Sequence, residues 1–340
     1  MSAGLESFVY AGLGTEGGRE GHGFYRRALS ENTWHLTTTG LPQEPEVRTI
    51  AIAPDDPSVL YTGVQDGAYR SADRGDHWEK LDLPGDPGTI WSVAFHPHNP
   101  QIIYVGGEDT KLFRTNDAGT TWDRVPIDVT FPSVTMTPRV LPKRILSIAI
   151  DPNRPDDIYA AVEVGGLIRS RDGGLTWEGS SEGHYQNDDP VDLHGVLVSS
   201  AHPRHVFIIS RIGMFRSIDG GDHWSWGKVE RLGPNGTYCR VIREAPKDPD
   251  TIYLGTGPDF RGDMGALLRS QDYGETWQKI EMGVIPESTL FGFVINQRNQ
   301  DQMYCATRNG QVLGSQDGGV TWDDYSLPNE ASEVNALACG

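Results

Sequence analysis

The chain has 340 residues and a net charge of −18, from 47 acidic and 29 basic side chains, so nucleic-acid phosphate and anionic lipid are both repelled and neither is expected as a partner. Cys239, Cys305 and Cys339 have no C-x-x-C spacing, which argues against a disulfide framework and against a zinc site. No apolar run approaches the ~18 residues of a membrane span, and no basic stretch leads into an apolar one after Met1, so cytoplasmic residence is expected.

In chain order, the N-terminal segment offers apolar strands at 8–13, 23–27 and 34–37. The glycine-rich stretch 12–23 lacks a following Gly-Lys-Ser/Thr and is not read as a phosphate loop. Residues 46–81 then give a complete unit. A strand at 46–52 meets a Pro-Asp-Asp-Pro turn at 54–57. Strands follow at 59–64 and 68–71, and a last one begins at Trp78. Between the last two strands lies an octapeptide, Ser/Thr-x-Asp-x-Gly-x-Thr/His-Trp. It recurs at 71–78, 115–122, 170–177, 217–224, 270–277 and 315–322, with Arg before the first five copies. An eroded seventh copy at 27–34 keeps Thr33 and Trp34. The tryptophans recur every 44 to 55 residues, the period of propeller blades. Tyr61, Tyr104, Tyr159, Phe207, Tyr253 and Tyr304 occupy one position in the second strand of successive units.

The expected fold class is therefore all-β: a seven-bladed β-propeller of four-stranded blades in one domain, residues 1–340. The N-terminus lacks an innermost strand, and the C-terminus supplies a spare one at 333–340 that completes the N-terminal blade. Closure of this kind leaves no exposed sheet edge.

The octapeptide is identified as the Asp-box, or bacterial neuraminidase repeat. The chain resembles sialidases, two-propeller xyloglucan glucanases, sortilin ectodomains and photosystem II assembly factors. The resemblance implies that Asp73, Asp117, Asp172, Asp219, Asp272 and Asp317 are structural, each capping its own turn, while Gly supplies a positive φ and Trp packs between blades. It does not imply one function. Sialidases of this kind have six blades and an Arg-Ile-Pro motif, where this chain has Arg26-Arg27-Ala28, so sialidase activity is not expected. The glucanases hold substrate between two propellers, whereas one is counted here. The assembly factors and sortilin hold peptide or protein.

A repeat makes unlike residues informative. Near the start of the innermost strand the aligned position reads Arg48, Trp91, Leu146, His194, Arg240, Phe291 and Asn335; two residues earlier it includes Arg144 and Tyr238. The loop after the second strand contributes Glu108, Glu163, Arg211 and Arg308. Extra residues at 125–143, 179–192, 227–237 and 256–265 enlarge the same face, where binding sites of repeat folds often lie. These positions suggest a funnel. Arg48, Arg144, Arg211, Arg240 and Arg308 would hold an anion, and Trp91, Tyr238 and Phe291 a flat face. Glu108, Glu163 and His194 are the candidate catalytic groups, the carboxylates dividing acid and base work and the histidine moving a proton. The same three side chains could instead hold a divalent cation; no organic cofactor is indicated. Each Arg also has a bland reading as a plain ion pair. The expected function is hydrolase or lyase chemistry on a small polar or anionic molecule. The alternative is a propeller that binds a protein or peptide without catalysis.

Overall fold

The computed structural model describes residues 6–16, 19–131, 142–181, 191–328 and 331–340. They form seven antiparallel four-stranded sheets. Blade 1 orders Val334–Cys339, Phe8–Glu16, Arg19–Ala28 and His35–Leu36 from inside to outside. Blade 2 runs Thr49–Ile52, Leu60–Val64, Gly67–Ser71 and Glu79–Lys80, and blade 3 runs Ile90–His96, Asn99–Gly107, Leu112–Thr115 and Asp123–Val125. The innermost strands of blades 4 to 7 are Arg144–Ile150, Leu193–Val198, Tyr238–Ala245 and Leu290–Ile295. Each innermost strand neighbours the next, and that of blade 7 lies beside Val334–Cys339, so the ring is closed. Among the described residues no helix is long and apolar enough to cross a membrane.

The closing strand pairs with the first one through Val9↔Cys339, Tyr10↔Ala338 and Ala11↔Leu337. The amides of Phe8 and Gly340 exchange bonds with each other's carbonyls at 2.8 and 3.0 Å. Some strand limits differ from the sequence expectation, for local reasons. In blade 2 the ladder opens only at Thr49, because the Glu46 amide donates to Gln65 Oε1 at 2.8 Å and the Val47 amide to the Leu13 carbonyl at 2.7 Å. The described part of the glycine-rich stretch, residues 12–16 and 19–23, pairs as part of the first hairpin, with a bulge between Gly14 and Glu16.

Each Asp-box is a self-bonded turn. In the third blade's copy, the Thr115 hydroxyl donates to Asp117 Oδ1 at 2.7 Å, and the Thr121 amide and hydroxyl donate to the two carboxylate oxygens at 2.8 and 2.7 Å. The same contacts recur at Asp172 and Asp317. The box glycines are left-handed, for example Gly75 at φ 89° and Gly174 at φ 91°. So is the residue before them, even where it is Arg74, Ala118 or Tyr273. The box also ties blades together. Tyr61, Tyr104 and Tyr159 donate their hydroxyls to carbonyls of the next blade's box, Ala118, Gly173 and Gly220, at 2.9, 3.1 and 3.2 Å. Trp78 lies edge-on to Phe24 of blade 1, ring centroids 4.7 Å apart, inside an apolar cluster shared by blades 1 and 2. The eroded copy is replaced by a different device. Arg27, nearly fully buried, stacks 4.0 Å from the Tyr325 ring centroid of blade 7 and donates to the Glu31 carbonyl at 2.6 Å.

Candidate functional site

The innermost strands share one irregularity that builds the site. The register slips by one residue between Ile90 and Ser92, Ile145 and Ser147, Leu193 and Gly195, Cys239 and Val241, Leu290 and Gly292, and Val334 and Ala336. The extra residues are Trp91, Leu146, His194, Arg240, Phe291 and Asn335. A bulged residue is left out of the ladder and its side chain is re-aimed. In the remaining blade Arg48 stands just before the ladder. Each of these residues follows a fully buried anchor, such as Val47, Ile90, Leu193 or Leu290. A small residue follows in most blades, such as Ser92, Gly195 or Gly292. Anchor, bulge and small residue together turn one side chain per blade toward the axis.

All seven line a central cavity of about 140 Å³, with Asn335 beside Arg48 and His194 across from them in the ring. No carboxylate lines this cavity among the described residues. That composition is notable in a chain of net charge −18. Trp91 is held between two cations, with the guanidinium carbons of Arg48 and Arg144 4.6 and 4.5 Å from its ring centroid. The Arg240 guanidinium lies 4.9 Å from the centre of Phe291.

His194 is almost wholly buried, and its Nδ1 is 2.7 Å from the Cys239 carbonyl. A carbonyl only accepts, so Nδ1 carries the hydrogen and Nε2 is the nitrogen left to take up a proton. Nε2 is 3.8 Å from a carboxylate oxygen of Asp192, whose other oxygen is buried without a hydrogen-bond partner. The ring of Tyr238 covers the imidazole at 4.6 Å between centroids and stacks nearly parallel to Phe291 at 6.4 Å.

The other predicted residues stand around this cavity. Glu108 and Glu163 both face Arg144, with Arg144 Nη1 2.9 Å from Glu163 and Nε 3.7 Å from Glu108. The indole N–H of Trp91 donates to Glu108 at 3.4 Å. The two carboxylates are therefore joined to an arginine on the rim and do not meet His194. Among the described residues no three His, Cys, Asp or Glu side chains come together as a metal-ligand set. Arg308 is buried in an ion pair with Glu333 and stacks 4.0 Å from the centre of Phe260. Arg211, on the loop between the second and third strands of blade 5, lies outside the cavity lining. Of the four inserted segments, residues 132–141 and 182–190 lie outside the described residues. The insertion at 256–265 places Phe260 against Tyr238 and Phe291. Its one signal in the sequence is a lone aromatic in a polar insertion.

The family described as Sortilin (neurotensin receptor 3), of the Sortilin-Vps10 group, matches residues 66–155 and 265–339. The xyloglucanase Xgh74A of Acetivibrio thermocellus is 25% identical over 287 residues, covering 72% of this chain and 33% of that protein. The chain thus spans a third of the length of that relative. The GH74 xyloglucanase of Xanthomonas campestris superposes with a TM-score of 0.71 at 16% identity, over 94% of this chain and 53% of that one. The structure of YCF48 bound to a D1 peptide superposes with a TM-score of 0.55 at 19% identity, over 84% and 83% of the two chains. In fold and in these matches the chain is a seven-bladed β-propeller similar to those of the sialidase and sortilin-like superfamily. Its relatives include proteins named as hydrolases and as an assembly factor.

Proposed function

We propose that this protein binds a small organic anion in its central funnel and acts on it by hydrolysis or elimination. The observation that carries this reading is the cavity lining: Arg48, Arg240, His194 and Asn335 beside Trp91 and Phe291, with no carboxylate among them. Size supports a small ligand. A cavity of about 150 Å³ accepts a benzene ring, so the 140 Å³ here suits a single ring or a short acid. Arg48 and Arg240 would fix the anionic group, with the Phe291 ring and the edge of Trp91 beside it. His194 would take the proton, at Nε2, from an attacking water or from the acidic C–H beside the anion. The hydrolase relatives add to the case at the level of class.

A second reading, capture of a peptide end, is favoured by one observation. Glu108 and Glu163 are both occupied by Arg144, which leaves no carboxylate acid–base pair at the mouth. A terminal carboxylate would suit the same arginines, and the relative with a bound peptide fits this reading.

The test is a thermal-shift screen over organic acids, lactones and acidic sugars, because a ligand of the native state raises the melting temperature. A shift lost in Arg240→Ala supports the funnel. Turnover lost in His194→Gln with binding retained supports catalysis. Binding of peptides with a free C-terminus, without turnover of any small acid, would favour the second reading. No shift across the panel would refute the small-anion reading.

A further inference from the structure

Arg243 is a cation that the reading above does not use. It follows Arg240 by three residues on the innermost strand of blade 6. In a regular strand such residues face opposite ways. The bulge at Arg240 shifts the alternation by one residue, and both arginines line the same cavity. The equivalent residue in the other blades is Ala51, Ala94, Ala149, Leu197, Val294 or Ala338. This position thus carries a small or aliphatic side chain in six blades and a guanidinium in one, and only the guanidinium lines the cavity. The Arg243 side chain is exposed to the solvent of the channel that it lines.

Its Nη1 donates to the carbonyl of its own neighbour Ile242, at 2.8 Å. No carboxylate pairs with it among the described residues. The contrast with the rim is sharp. There Arg48 meets Glu46, Arg144 meets Glu108 and Glu163, and Arg308 meets Glu333. A cation on the wall of a confined cavity with no carboxylate beside it attracts an anion that enters the cavity.

We propose that the ligand is a small dianion, with one anionic group held at Arg48 and Arg240 and the second on Arg243 deeper in the channel. This rests on the funnel reading and narrows it to a substrate class, a short dicarboxylate or a phosphorylated acid. A single-ring molecule with anionic groups at both ends would lie along the axis. Trp91 and Phe291 would flank its middle.

The test is calorimetric titration with malonate, succinate, glutarate and adipate, each beside the monocarboxylate of the same length. The wild-type chain is expected to prefer at least one dicarboxylate over its monocarboxylate by about tenfold or more, the worth of a charge-assisted contact. Arg243→Met should erase that preference by weakening the dicarboxylate far more than the monocarboxylate, and Arg243→Lys should keep part of it. Equal weakening of both ligand types in Arg243→Met, or no weakening of either, overturns the dianion inference. If monocarboxylates bind through Arg48 but dicarboxylates gain nothing, the inference fails and the funnel reading stands. If no carboxylate binds the wild-type chain, the dianion inference fails, and the funnel reading falls with it when lactones and acidic sugars give no thermal shift either. The ligand-free melting temperature gives a second check. Arg243→Met should equal or exceed wild type, and a clear drop would make Arg243 a structural residue and overturn the proposal.

Discussion

Ring closure can be tested at Leu337. This side chain is 7% exposed, pairs across the ladder with Ala11, and packs with Tyr304, Ala306 and Val312 of blade 7. Leu337→Ala removes three carbons from that interface. Core Leu→Ala changes cost about 2–5 kcal/mol. The lower half of that range applies here, because Leu337 also borders the central cavity, which limits the new void created. Taking about 3 kcal/mol and an unfolding entropy of about 2.1 cal/mol/K per residue, a chain of 340 residues should melt about 4 °C lower. Val334→Ala, at a site with no exposure, should cost about 2 kcal/mol. Thermal unfolding followed by tryptophan fluorescence reads both. If the strand did not dock, Leu337 would be a surface residue and its loss would change stability by less than about 0.5 kcal/mol. A melting shift below about 1 °C would therefore refute the closure described here. Deleting residues 333–340 removes both side chains and the partner of Arg308, and should abolish cooperative unfolding altogether.

Three further outcomes are expected. Arg308→Met alone strands the fully buried Glu333 and should cost about 3–5 kcal/mol; adding Glu333→Gln should recover most of it, as read from urea midpoints. Donation from neighbouring hydroxyls and amides holds the carboxyls of Asp117, Asp172, Asp272 and Asp317 down at about 2, below the ordinary 3.8. Because these values are depressed in the folded chain, their stabilisation is present above roughly pH 3.9 and is lost as pH falls toward about 2. Melting temperature should therefore drop steeply across that window, and Asp172→Asn should flatten the slope. Finally, Gly40 has φ 93°, and a Cβ there would stand 2.0 Å from the Trp78 carbonyl oxygen. Gly40→Ala should destabilise the chain by more than the ~1 kcal/mol typical of a Gly-to-Ala backbone effect, measured by the same melts.

The fold was legible because its determinants are local and repeated. Asp73 to Trp78 and its five companions specify a turn from their own side chains, and the spare strand at the C-terminus has a vacancy to fill in blade 1. The inward position of Arg48, Trp91, His194, Arg240, Phe291 and Asn335 was also legible, through its variability across blades. The physical cause was not. A bulge depends on pairing with the neighbouring strand, which a residue string does not display. The loop residues were harder to place. Glu108, Glu163 and Arg308 sit near the funnel in the chain's order, but their side chains are drawn aside by Arg144 and Glu333. Arg243 escaped notice because the strand there reads as regular alternation. Its shared direction with Arg240 exists only once the bulge is known.

The bulges separate two demands that most strands must meet with the same residues. A residue outside the ladder can change without breaking an inter-strand hydrogen bond, and the buried anchor beside it continues to hold the blades together. The ring thus works as a fixed frame with seven interchangeable slots around one axis. A different ligand can be accommodated by rewriting slots such as Trp91, His194 or Asn335, while the turns and interfaces that keep the frame folded are left as they are.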